Sequence, residues 1–130
     1  MRFIILLSII LILNACSKEA SPECSELNCE LVGSWDWMKT YGSIAGQTWD
    51  LTNSPPKQLE VTEGTLRFIS GNQINEYDYV IIETDTMFRD NVMRKFIKYD
   101  GNIRWMEISN DSLVFRDLCF DCYDDYYVKN

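Results

Sequence analysis

The chain has 130 residues, 46% hydrophobic and 13% aromatic, with 20 acidic side chains against 12 basic ones and no histidine. A formal charge of −8 argues against nucleic acid and anionic lipid headgroups as partners, because both repel an acidic protein. Without histidine, and with no serine or cysteine beside a recognisable activating partner, the sequence argues against an enzyme, and against a triad hydrolase above all.

Arg2 followed by Phe3 to Leu13, apolar except for Ser8, reads as the charged and hydrophobic regions of an export signal over residues 1–15. The run falls short of the roughly 20 apolar residues that a membrane-spanning helix needs. Leu13-Asn14-Ala15-Cys16 resembles a lipobox, in which a small residue precedes the cysteine that is acylated and becomes the first residue of the mature chain. Cys16 is then the membrane anchor, since two or three acyl chains hold a protein stably where one does not. Ser17 to Glu23 is small and charged and carries Pro22, so residues 16–30 read as a flexible tether. Lys18-Glu19 resembles the charged export signal behind the lipidated cysteine of Bacteroidetes lipoproteins. The expected location is the cell envelope, with the outer membrane preferred, facing the periplasm or exposed at the surface.

Residues 31–130 are long enough to bury a core as one domain. Their apolar residues are rich in Trp, Tyr, Phe, Ile and Val, which suit a pleated, half-buried surface. Trp35, Trp37 and Tyr41 on one face, with Ser34, Asp36 and Thr40 on the other, predict a first strand whose pattern breaks at Met38 and Lys39. Leu59 and Val61, then Leu66 and Phe68, predict two short strands about a turn at Glu63-Gly64, and Gly71-Asn72 reverses the chain again. Gln73 to Glu83 predicts the longest strand, with Tyr77, Tyr79 and Ile81 opposite Asp78, Val80 and Ile82, and Thr84 to Asn91 is its exit loop. Lys95, Ile97 and Tyr99 alternate with Arg94, Phe96 and Lys98 up to Asp100-Gly101, a strong hairpin signal because Asp-Gly readily supplies positive φ. Ile103 to Ile108 is its partner. Asn110-Asp111 turns into Ser112 to Asp117, with Leu113 and Phe115 on one face, and Tyr123 to Lys129 ends the series. About eight strands in this order predict an all-β, up-and-down (meander) antiparallel β-barrel, closed so that no edge is exposed. An immunoglobulin-like sandwich is the rival, but the cysteine, tryptophan and cysteine spacing that marks it is missing.

Gly33-Ser34-Trp35 within Leu31 to Trp37 resembles the Gly-x-Trp motif of the first lipocalin strand. The ending Asp111 to Phe115, Cys119 to Tyr123 and Tyr126 to Lys129, together with Gly42 to Gln47, is similar to small lipocalin-like lipoproteins of Bacteroidetes. The resemblance implies that Trp35 plugs the closed end of the barrel beneath a cation from the last strand. Lys129 is the candidate and Arg116 the runner-up, in a contact contributing about 0.5 to 2 kcal/mol.

Four cysteines follow Cys16: Cys24, Cys29, Cys119 and Cys122. In an exported chain their spacing favours disulfides over a zinc site, and opposite ends of a meander barrel favour local pairing of Cys24 with Cys29 and of Cys119 with Cys122. Asp85 with Asp90, and Asp117 with Asp121, Asp124 and Asp125, offer carboxylates for Ca²⁺ or for acid–base work, but turns are commonly acidic and the plainer reading is a hydrated surface. No cofactor or metal is expected. Trp37, Trp49, Tyr77, Tyr79 and Trp105 are candidates to line a cavity, although the same rings are enough to fill a solid core. The leading functional expectation is a monomeric, membrane-anchored, non-enzymatic module binding a small apolar or amphipathic molecule. The alternative is a solid-core structural or interaction lipoprotein of the envelope.

Overall fold

The computed structural model describes residues 28–42, 44–119 and 121–130. Among the described residues nine strands follow one another: β1 (Gly33–Gly42), β2 (Gln47–Asp50), β3 (Lys57–Val61), β4 (Thr65–Ser70), β5 (Gln73–Thr84), β6 (Arg94–Tyr99), β7 (Asn102–Ser109), β8 (Ser112–Asp117) and β9 (Tyr123–Lys129). From β3 onward each strand pairs antiparallel with the next, and β9 returns to β1 through Trp35 opposite Lys129 and Gly42 opposite Tyr123. Eight strands thus close an all-β, antiparallel barrel of the expected class. The ninth, β2, is an addition. It shares one edge of β1 with β3, which takes residues 33–36 while β2 takes residues 39–42.

The break at Met38 and Lys39 is a β-bulge, where the register between β1 and β9 shifts between Trp37 and Lys39. One extra residue resets the alternation, so the face that points inward changes phase. Trp35 and Trp37 are buried before the bulge. After it Thr40 and Gly42 turn inward and Tyr41, expected on the Trp35 face, is 48% exposed. A Cβ on Gly42 would collide with the carbonyl of Cys122 and lie 2.9 Å from Tyr123 Cα, so β1 and β9 approach backbone to backbone there. At the β6–β7 hairpin Asp100 and Gly101 have φ of 48° and 73°, as a primed turn requires.

The strand directions give the barrel two unlike ends. The turns at residues 62–64, 85–93 and 110–111 lie at one end with the entry of the chain at Asn28, and the segments at residues 51–56, 71–72, 100–101 and 118–122 lie at the other. The first end is closed. Asn28 O accepts from the amides of Leu31 and Val32, both at 3.0 Å, and Leu31, Trp35, Leu59, Leu66 and Leu113 are fully buried behind it. A hydrogen-bonded turn at residues 28–30 leads into Leu31. Trp37, Ile97, Met106, Phe115 and Tyr127 continue the core toward the mouth. Phe68–Tyr99, Tyr99–Phe115 and Phe115–Tyr127 ring contacts at 5.4, 6.4 and 5.8 Å fill the barrel with aromatic volume.

Candidate ligand site at the barrel mouth

Strand β7 places Arg104 and Met106 inward and Trp105 outward, and Arg104 stands opposite Ile97 on β6 and Asp117 on β8. Its side chain enters the barrel just above the aromatic core, and the residue is only 7% exposed. Nη1 donates to Asp125 Oδ2 at 2.7 Å, and Nη2 donates to the carbonyls of Phe115 and Tyr123 at 3.0 and 2.9 Å. Nε lies 2.5 Å from Asp117 Oδ1, an ion-pair distance without the alignment of a hydrogen bond. Burial works against the guanidinium charge, but Asp125 and Tyr99 outweigh it and raise the pKa above its ordinary value, so the group stays charged. Burial likewise raises the Tyr99 and Tyr127 phenols, which stay neutral.

The second oxygen of Asp125 accepts from Thr40 Oγ1 at 2.5 Å, and Thr40 Oγ1 accepts from Trp37 Nε1 at 3.0 Å. The bulge makes this possible, because without it Thr40 would face solvent. Thr40, Arg104, Asp125, Tyr99 and Asp117 border a cavity of about 640 Å³ that opens between Lys57, Leu118 and Tyr123. A recess of about 270 Å³ adjoins it, lined by Thr40, Trp49, Ser54, Lys57 and Tyr123. Lys57 Nζ lies 4.6 Å from the Trp37 ring centroid and, among the described residues, makes no ion pair.

The five aromatics expected to line a cavity divide. Trp49 borders the recess and meets the Tyr123 ring edge-on at 5.6 Å. Trp37 is buried beneath Lys57, Tyr77 packs against Phe68 and Tyr99, and Tyr79 is buried with its hydroxyl donating to Thr62 O at 2.8 Å. Trp105 does not belong to the interior at all. Its ring lies on the outer face, 5.6 Å from Phe88, with Arg94 and Arg116 at 5.2 and 5.6 Å from its centroid. The loop after β5 folds Phe88 over Phe96 and Trp105, so both faces of β6 and β7 carry covered apolar residues.

Arg116 shares that outer face, stacked 5.9 Å from the Tyr126 centroid and paired with Glu107 and Asp124, so it is not the partner of Trp35. Lys129 Nζ lies 5.2 Å from the Trp35 centroid. A Cβ at Gly33, where φ is 141°, would come within 3.3 Å of Lys129 Cε, which gives the glycine of Gly-x-Trp a steric reason. Cys119 and Cys122 form a disulfide on the cavity rim, with Cα atoms 5.4 Å apart. Cys29 is also disulfide-bonded, whereas Cys24 and Cys16 lie outside the described residues.

The acidic groups divide. Asp117 and Asp125 hold Arg104 and Asp124 holds Arg116, whereas Asp121 and Asp90 are exposed, as expected of a hydrated surface. Asp90 receives a two-pronged bond from Arg94, both N–O distances 2.7 Å, which holds its carboxyl down at about 2. Its folded pKa lies below the unfolded value of about 3.9. The pair therefore contributes above that value and is lost as pH falls through about 2. Carboxyl NMR titration should show Asp90 ionised at pH values where ordinary aspartates are half protonated, and Arg94→Met should return it to the ordinary range. An ordinary titration in the parent would mean that the pair does not form.

Arg104, the centre of the mouth, was missed in the sequence. The available signal was its spacing two residues before Met106, matched by Asp117 two residues after Phe115 and Asp125 two before Tyr127. Fold and mouth together define a closed antiparallel barrel, consistent with a lipocalin-like fold, with a polar open end. No protein-family model matches the chain, and no curated protein or solved structure matches it.

Proposed function

We propose that this protein is a lipid-anchored, non-enzymatic binding module of the cell envelope that takes a small amphipathic molecule in the barrel mouth. The observation that carries this reading is the contrast along the barrel axis. Side chains fill the interior up to Trp37 and Phe115, and a cavity of about 640 Å³ opens above them. That volume lies within the roughly 300–1,000 Å³ typical of small-molecule sites. Arg104 is more than neutralised by its two carboxylates, Asp117 and Asp125, so it serves as floor and offers no free positive charge. Lys57, which makes no ion pair among the described residues, is the group at the rim that would meet an anionic head, with Trp49, Tyr123, Ile103 and Leu118 against the apolar part. The anchor itself is read from Leu13 to Cys16, outside the described residues.

Native mass spectrometry of protein purified from its own host should recover a bound small molecule. The anionic dye 1-anilinonaphthalene-8-sulfonate should bind the folded protein, and Lys57→Glu should weaken it several-fold without changing the melt, because the side chain is exposed. A ligand-free mass together with no dye binding would sink the reading. Cys16→Ala should abolish incorporation of radiolabelled palmitate, and continued labelling would place the acyl chains elsewhere.

A further inference from the structure

The closed end carries an apolar patch that the ligand site does not use. Met87, Phe88, Val92 and Met93, all in the loop between β5 and β6, are 41, 44, 49 and 59% exposed. Phe88 is held in place by Phe96, Trp105 and Arg94, so its ring rests on a structured base. With Arg94 at the start of β6, the loop is also balanced in charge. Asp85 and Asp90 face Arg89 and Arg94 in number, and Asp90 is bonded to Arg94. On a chain of net charge −8, this is a local surface that an anionic bilayer does not repel.

The position of the tether says what covers it. Glu30 pairs with Lys95 at 3.5 Å and borders the same shallow groove as Val92 and Met93, so the chain joins the barrel directly beside the patch. The preceding stretch from Ser17 to Glu23 is polar and charged and is no match for an apolar surface. A lipid on Cys16 holds the bilayer at most about 43 Å from Asn28 at this end, twelve residues at up to about 3.6 Å each. The mouth also exposes apolar side chains, Ile44 at 86% and Leu51 at 54%, and acids stand in turns at both ends, Asp100 and Asp121 at the mouth and Glu63 and Asp111 at the closed end, so what separates the ends is where the chain enters.

We infer that the loop of residues 85–93 rests in the bilayer interface beside the lipid anchor and holds the barrel with its mouth turned to the aqueous phase. This rests on the lipid-anchor reading above. The acyl chains supply retention, and the loop supplies orientation. Apolar side chains of this kind sit about 5–10 Å into the boundary between headgroups and acyl chains. The ligand then enters from the aqueous side and not directly out of the membrane.

The test uses the protein as its own host processes it, in vesicles of phosphatidylethanolamine with a minority of phosphatidylglycerol, the acyl chains brominated near the headgroup. M93W adds an indole at the patch and I44W adds one at the mouth, both at exposed positions, and V92W replaces M93W should that variant fail to fold. The expected result is a blue-shifted, bromine-quenched emission gained with M93W and an unquenched gain with I44W. Quenching of I44W in place of M93W overturns the inference by turning the mouth to the membrane, and quenching of neither shows a barrel held by lipid alone. Protein that fails to float with the vesicles refutes the anchor reading itself, and the orientation with it. Flotation without quenching leaves the anchor standing and removes only the orientation.

Discussion

Trp35→Ala is expected to lower the unfolding free energy by about 3 to 5 kcal/mol, the combined cost of lost transfer energy and the cavity left behind. The indole is fully buried at the closed end, and its Nε1 donates to Leu31 O at 2.8 Å, so truncation also leaves a buried carbonyl without its partner. Against a total of about 5 to 15 kcal/mol for a domain of this kind, the loss brings the barrel close to unfolding. Two controls separate its parts. Lys129→Met removes the cation 5.2 Å from the ring centroid and should cost no more than about 1 kcal/mol, as an exposed cation–π contact does. Trp105→Phe, on the outer face, keeps most of its apolar volume and should cost within about 1 kcal/mol. Urea melts read all three. A Trp35→Ala midpoint close to the parent would mean that Trp35 does not close the barrel.

The barrel was legible in the sequence because most of its eight closing strands show their period over four or more residues and most of its turns are short. Leu113 and Phe115 are inward as the alternation requires, and Asp100-Gly101 turns where expected. Three features were hidden for physical reasons. The bulge showed as a broken pattern at Met38, but a pattern break does not say which face follows it, and Tyr41 was assigned to the wrong side. Strand β2 has four residues, too few for a period-two signal, and it forms because β3 leaves half of the β1 edge unpaired. Phe96 and Trp105 are apolar on the outer face because Phe88 covers them from a loop eight and seventeen residues away along the chain, and alternation reads only one buried face.

The site was less legible than the fold. Rings at Trp37, Tyr77 and Tyr79 signalled an aromatic interior, which the barrel has, but aromatic content does not tell filling from lining. What separates them is the height of each ring along the axis, and height follows from strand register. The same holds for Asp117 and Asp125. As isolated residues they look like turn acids, and only the pairing of β7 with β8 and of β8 with β9 brings them around one guanidinium. The packed interior also narrows the expected function, because it confines a ligand to the mouth, where polar groups outnumber rings.

Arg104→Met should be about as costly as loss of the tryptophan, at about 3 to 5 kcal/mol near neutral pH, through a different term. Methionine keeps much of the stem volume but leaves Asp117 and Asp125, whose side chains are 31 and 22% exposed, facing each other without their cation. It also strands the carbonyls of Phe115 and Tyr123, which otherwise accept from Nη2. Because the cost comes from uncompensated charge, removing the charges should return much of it. The triple variant that adds Asp117→Asn and Asp125→Asn should be more stable than Arg104→Met alone. Acid should act the same way. Protonation removes the charge that the variant leaves uncompensated. The deficit relative to the parent should therefore shrink as pH is lowered toward 4. Arg104→Lys keeps the charge without the planar fork and should fall between the two, since an ammonium does not reach two carboxylates and two carbonyls in one plane. A pH-independent deficit, unchanged by the added asparagines, would assign Arg104 a packing role and remove the ion pair from the floor of the mouth.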